Sequence, residues 1–408
     1  MSKALQDFRY GSDEMNQCPY ASYKALRDEA PVHRIPGTDT YMLTRYEDQM
    51  AMFLDAETYS NARPWERPSH PLVQKELDKG WPAHHLLSGS DAPMHTRLRN
   101  ITNRAFSQRR IRELEVRIRA IAQELVDKFK RDGHVEFMAQ YAAPLPLMII
   151  AGMLGVSRED LPKIHRWSES IVAVSAGGLP LEEEIAATRD LVEFQHYLKA
   201  QIDVRKKVPH EDFIGDMIAA RTPEGEPLDD ENLIDLSRLL LAAGHETTMQ
   251  LIGNMMYILV HRPEDIVRLQ AEPTLMENYI EEAMRFESPV VSVSRVTTCD
   301  VEIGGVKLPK GSRILPMLGA ANRDERHFAN PDRFDPERED ASTHLAFGWG
   351  SHMCLGRPLA RLEALVSLQT LLTQLPNLRL APGGNDFRWR SVPTRRGLVE
   401  LNLVFDPA

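Results

Sequence analysis

The chain has 408 residues, 42% of them hydrophobic and 26% charged, with 49 basic and 59 acidic residues and a net charge of −10. This composition excludes collagen, coiled coil and an intrinsically disordered chain, and the acidic balance argues against nucleic acid as the main partner. No uncharged apolar run reaches the ~18 residues of a membrane span, residues 1–20 lack a charged and then apolar leader, and three cysteines are too few for a disulfide framework. The sequence therefore predicts a cytoplasmic protein with no membrane partner. The length prior suggests two or three domains.

In chain order, Tyr20 to Ala30 has a helical pattern and Tyr41-Met42-Leu43-Thr44 is strand-like. Residues 62–93, rich in Pro, His and Trp, read as a long irregular loop. Helix formers dominate from Met94 to about Arg131, and residues 97–119 hold eight arginines. Helical patterning fills 157–220, broken at Gly177-Gly178 and Pro209. Asp229 is a candidate N-cap for one long helix running to about Val260, where His261-Arg262-Pro263 stops it. Its ~31 residues would span about 46 Å. Val296 to Leu308 alternates around Gly304-Gly305 and predicts a hairpin. Leu355 to Leu375 is helical up to Pro376, and short strands follow. The sum is mainly α with a minor β region.

Four clusters have chemical content. In Phe347-Gly348-Trp349-Gly350-Ser351-His352-Met353-Cys354-Leu355-Gly356, glycines permit a tight turn, and Cys354 stands at the mouth of a helix, where a thiolate is stabilised. Such a thiolate is a nucleophile or a metal ligand; a lone Cys is otherwise a buried structural residue. Zinc on His352 and Cys354 would need further ligands that no second Cys pair supplies. In the long helix, Ala243-Gly244-His245-Glu246-Thr247-Thr248 combines glycine, two threonines and a carboxylate between apolar stretches. This is either a functional site or a kink with its polar face in water. Glu282 and Arg285, at i and i+3, share a helix face, as do His95 and Arg99 at i and i+4. Taken alone, the first is an ordinary solvated pair and the second a basic surface helix.

In this order, these clusters resemble the cytochromes P-450, the haem-thiolate monooxygenases, from Pro19-Tyr20 to Gly397-Leu398, including Ala321-Asn322-Arg323-Asp324 and Pro331-Asp332-Arg333-Phe334-Asp335. The resemblance implies a single domain over 1–408 with the cytochrome P-450 fold, a long central helix over haem b (iron protoporphyrin IX), and Cys354 as axial ligand. Phe347 would pack near the sulfur and Gly350 would give the loop room. His95, Arg99, Arg295 and His352 would hold the propionates. Ala243 and Gly244 would open a groove for dioxygen. Glu246 and Thr247 would be the acid–alcohol pair that delivers protons, whereas His245 has no implied role. Glu282 and Arg285, with Arg323, would form a buried structural network.

The implied activity inserts one atom of O2 into a small apolar organic substrate. No flavin, nicotinamide or iron–sulfur signature is present, so a ferredoxin-type donor with an NAD(P)H-dependent reductase is implied. Arg104, Arg109, Arg110, Arg112 and Arg361 are candidates for its docking patch. The alternatives are a peroxide-dependent peroxygenase and a non-catalytic haem sensor. Arg63, Arg67, His84 and His85 are candidates to anchor a polar end of the substrate.

Overall fold

In the computed structural model, residues 5, 8–62, 70–82, 87–222 and 225–407 are described. The chain forms two compact units, one from Met1–Ala62, Ile118–Ala142 and Thr247–Ala408, the other from Arg63–Arg117 and Ala143–Glu246. The candidate substrate anchors at 63, 67, 84 and 85 lie outside the described residues. Among the described residues no helix is long and apolar enough to cross a membrane.

The first unit holds the sheets. Val32–Arg34, Thr40–Leu43, Arg313–Pro316, Arg295–Thr297 and Tyr59–Ser60 lie side by side in that order. Thr40 to Leu43 run parallel to Arg313 to Pro316, and the other pairs are antiparallel. Leu43, Phe53, Ile314, Leu318, Phe328 and Leu345 form the core beside this sheet. His134–Glu136, Asn402–Val404 and Arg379–Leu380 make a second sheet. The predicted hairpin is smaller than its alternation suggests. Val301–Ile303 pairs with Val306–Leu308 through Gly304 and Gly305, both at positive φ, but Val296 belongs to the larger sheet. Alternation marks a strand without naming its neighbour.

The helix Met276–Phe286 carries the most enclosed ion pair of this unit. Glu282 and Arg285 are both fully buried and joined by two bonds of 2.6 and 2.8 Å. Arg338, not Arg323, completes the network, donating to Glu282 at 3.2 Å. Arg323 instead reaches the Phe286 carbonyl and Asp332, with its guanidinium between the rings of Tyr20 and Phe286. Arg285 also donates to the carbonyls of Asn322 and Pro331, both at 2.8 Å. One turn of helix earlier, Glu281 receives two bonds of 2.6 Å from Arg361, and His344 Nε2 stands 3.4 Å from it, off the hydrogen-bond line. Burial alone would raise the Glu281 pKa, but His344 and Arg361 outweigh it and bring it from 4.5 to about 2.

The second unit is helical: Met94–Ala105, Pro144–Met153, Leu161–Ala176, Leu181–Lys207, Phe213–Ala219 and Asp230–Gly244. Gly177 and Pro209 fall in the breaks, as expected. A buried Arg205 closes the turn after the longest helix, with Asp212 and the carbonyls of Leu154 and Gly155 as acceptors. The expected N-cap forms, the Asp229 carboxylate accepting from the Asn232 N–H at 2.8 Å. The long helix is not continuous, however. It ends at Gly244 and restarts as Glu246–Val260, with the His245 N–H 3.4 Å from the Leu241 carbonyl. Glycine lacks helix propensity, and threonine hydroxyls compete for backbone acceptors, so the interruption falls where the sequence is weakest.

Arg285→Ala should cost about 3–5 kcal/mol, because it strands a fully buried carboxylate; urea denaturation against wild type measures it. A carboxyl lowered on folding contributes stability above pH 4.5, and the contribution is lost as pH falls toward 2. Glu281→Gln should therefore be less stable than wild type by a few kcal/mol near neutral pH, on the order of the shift itself, with the gap shrinking below about pH 4. Paired unfolding curves at the two pH values test it.

Candidate functional site

The geometry of the cysteine loop begins with a backbone bond. The Cys354 N–H donates to the Phe347 carbonyl at 2.9 Å and closes the segment between them. Gly348 and Gly350 take φ of +65° and +71° inside it, a region that favours glycine. Gly350 also lies on the helix Tyr46–Leu54: a Cβ there would overlap the Phe53 carbonyl oxygen. Gly350–His352 then makes a single tight turn, and the helix Arg357–Gln374 follows, pointing its N-terminus back toward the loop.

The loop is held from behind. Asn322, fully buried, accepts the Leu345 N–H at 2.6 Å and donates to Ser288 at 2.8 Å. The Phe347 ring has the Arg361 guanidinium 5.0 Å from its centre and the His344 ring at 5.8 Å. The Glu281 clamp thus reaches the loop through Arg361. Cys354 itself is an exposed residue. Arg357 places a cation next to the turn, its Nη1 2.9 Å from Met353 Sδ. A helix N-terminus and a nearby guanidinium both favour a thiolate. Arg295 is buried, with its guanidinium 5.2 Å from the Phe53 ring. Phe53 therefore backs both Gly350 and Arg295, two residues that the sequence singled out separately. His352 is half-buried in the tight turn. Thr247 is half-buried at the start of Glu246–Val260. Among the described residues no three His, Cys, Asp or Glu side chains are grouped to hold a metal ion.

The second unit carries the remaining candidates. His95, Leu98, Ile101, Thr102 and Ala105 form the buried face of Met94–Ala105. His95 is therefore no surface histidine, and Arg99, one turn on, is half-buried. Ala243 is exposed, and Gly244 stands against Ile150, where a Cβ would collide with its side chain. Glu246 is 8% exposed, so the carboxylate between apolar stretches is indeed buried. His245 is buried too and bonds to Ser168 and the Ala143 carbonyl. Of the expected docking arginines, Arg104 and Arg112 are exposed, whereas Arg109 pairs with Glu113 and Arg110 with Asp216.

Sequence reasoning missed Phe53, Asn322, Glu281 and Ser168. Asn322 stood inside a recognised segment, and its type, a short two-sided hydrogen-bonding amide, was the available signal. Phe53 and Ser168 lie in ordinary amphipathic helices and carry none.

The Cytochrome P450 family model matches residues 189–378. The cytochrome P450 monooxygenase PikC of Streptomyces venezuelae is 34% identical over 94% of this chain and 90% of its own. The vitamin D(3) 25-hydroxylase of Pseudonocardia autotrophica is 36% identical over 96% and 94%. The structure of cytochrome P450 CREJ with (4-ethylphenyl) dihydrogen phosphate superposes with a TM-score of 0.90, at 31% identity over 96% of this chain and 98% of that one. Similarity of this extent, over a chain that carries the cysteine loop, the interrupted helix and the Glu282–Arg285 pair, makes this protein a member of the cytochrome P450 family, with its mainly helical fold, its haem iron and its monooxygenase chemistry.

Proposed function

We propose that the chain acts as one catalytic domain over 1–408, a cytoplasmic monooxygenase that binds haem b through the Cys354 thiolate. The observation that carries this is the placement of Cys354 in a glycine-bearing loop fixed by the Cys354–Phe347 backbone bond. The donor chemistry fits: a soft thiolate beside a helix N-terminus suits haem iron. When bound, the haem supplies dioxygen activation and oxygen-atom transfer. Phe347 would pack near the sulfur, and Gly350 lets the loop approach the Phe53 backbone closely. Arg295, His352, His95 and Arg99 supply cationic or donor groups for the two propionates, for which charge-assisted bonds are the natural match. Ala243 and Gly244 present little side-chain bulk on the dioxygen side. Glu246 takes protons from solvent and passes them toward the Thr247 hydroxyl.

The substrate is a small apolar organic molecule, in keeping with the vitamin D(3) hydroxylase among the relatives. O2 is the oxidant, and electrons come from a ferredoxin with an NAD(P)H-dependent reductase, for which the exposed Arg104 and Arg112 are the open cationic contacts. A peroxide-driven reaction has no use for the Glu246–Thr247 pair. Turnover with ferredoxin, reductase and NAD(P)H, absent with peroxide alone, separates the two; the opposite pattern overturns this reading.

Cys354→Ser should abolish the thiolate-type Soret band of the ferrous carbon monoxide adduct while the chain stays folded by circular dichroism. Gly350→Ala should weaken the same band and lower stability by about 1–3 kcal/mol or more, because the new Cβ meets backbone and sits at a φ of +71°. A Gly350→Ala protein with wild-type haem occupancy and melting temperature would contradict the loop argument.

A further inference from the structure

The reading of Glu246 and Thr247 leaves their neighbour without a task. His245 is 6% exposed, and both ring nitrogens are engaged. Nδ1 is 2.7 Å from Ser168 Oγ, and Nε2 is 3.2 Å from the Ala143 carbonyl oxygen. A carbonyl only accepts, so Nε2 carries a proton; in the neutral ring Nδ1 then accepts from the Ser168 hydroxyl. Ser168 is fully buried in Leu161–Ala176, and Ala143 leads into Pro144–Met153. One imidazole therefore ties the interruption of the helix to two other segments of the same unit. The backbone of His245 has φ −86° and ψ −71°, and its N–H is stretched to 3.4 Å from Leu241. A kink with its polar residue in water needs no such ties. This one is clamped, and the residues after it are Glu246 and Thr247.

We propose that His245 is a positioning residue: as the neutral Nε2–H tautomer it locks the break between Gly244 and Glu246 to Ser168 and the Ala143 carbonyl, and so sets where the acid–alcohol pair begins. The inference rests on the monooxygenase reading for its consequence but not for its geometry. Small displacements of proton-delivering groups matter because delivery is distance-limited. With the lock removed, protons arrive out of place and reducing equivalents leave as hydrogen peroxide.

The test uses the purified holoenzyme with a plant-type ferredoxin, its reductase and NAD(P)H. Nitrogen-15 NMR of labelled histidine should show a protonated Nε2 and a bare Nδ1 for His245. His245→Phe should keep the carbon monoxide Soret band and melting temperature, yet exchange the amides of residues 242–248 about fivefold faster, the scale of one hydrogen bond. It should also raise the share of NAD(P)H released as peroxide. His245→Gln, which can donate to Ala143 and accept from Ser168, should restore both readouts. Ser168→Ala should accelerate exchange alone, and adding it to His245→Phe should change little more. A bare Nε2, or wild-type exchange and peroxide share in both Ser168→Ala and His245→Phe, overturns the proposal. If His245→Phe does not accumulate, Ser168→Ala decides. The NMR and exchange results do not depend on haem chemistry, so a wild-type protein without the thiolate-type band would defeat the functional reading and leave this one standing on its own measurements.

Discussion

The bond from the Cys354 N–H to the Phe347 carbonyl is the constraint on which the site depends. It forces the intervening residues into a turn that only glycine adopts freely at Gly348 and Gly350. The turn is too tight to hold itself, so the burden passes to what lies behind it. Asn322 grips Leu345, and Arg361 stands over Phe347. Each of these is fixed by the helix Met276–Phe286, Asn322 through its carbonyl on Arg285 and Arg361 through Glu281. The Glu282–Arg285 pair is therefore two bonds away from the thiol loop. A fully buried ion pair is weak evidence for net stability. Its four-way geometry instead fixes one arrangement of the loops that carry the cysteine.

How much of this was legible depends on whether a physical need is met locally. A positive φ favours glycine at that position, so the loop announces itself. An N-cap needs an acceptor three residues before a free N–H, so Asp229 is readable. The helical patterning over 157–220, with its break at Gly177-Gly178, covers the observed Leu161–Ala176 and Leu181–Lys207. The misreadings share one cause, a partner far away in sequence. Nothing near His245 indicates Ser168, 77 residues earlier. Arg338 and Arg323 are both arginines in loop-like sequence, and only the folded path of 329–338 decides which of them meets Glu282. Phe53 looks like any core residue until the loop is laid on its carbonyl.

The charge balance takes on a different meaning once the fold is known. Among the described residues the buried basic side chains are eight arginines and no lysine, against nine buried carboxylic acids. One of those acids, Glu363, is held far toward its neutral form by burial. Interior charge therefore nearly cancels, and the net −10 belongs to the surface. The choice of arginine follows from its five donors in a rigid fork. Arg205 serves Asp212 and two carbonyls, and Arg285 serves Glu282 and two others at full strength. Lysine, with one compact head group, cannot span such acceptors. An arginine count along the sequence thus overstates how much cation is available to a partner. Arg110 and Arg361 look identical in sequence to Arg104 and Arg112, but each already has its carboxylate. On an acidic surface, a few guanidinium groups without a carboxylate partner are a more selective contact for an acidic molecule than a broad basic field, because the surrounding like charge repels such a molecule everywhere else.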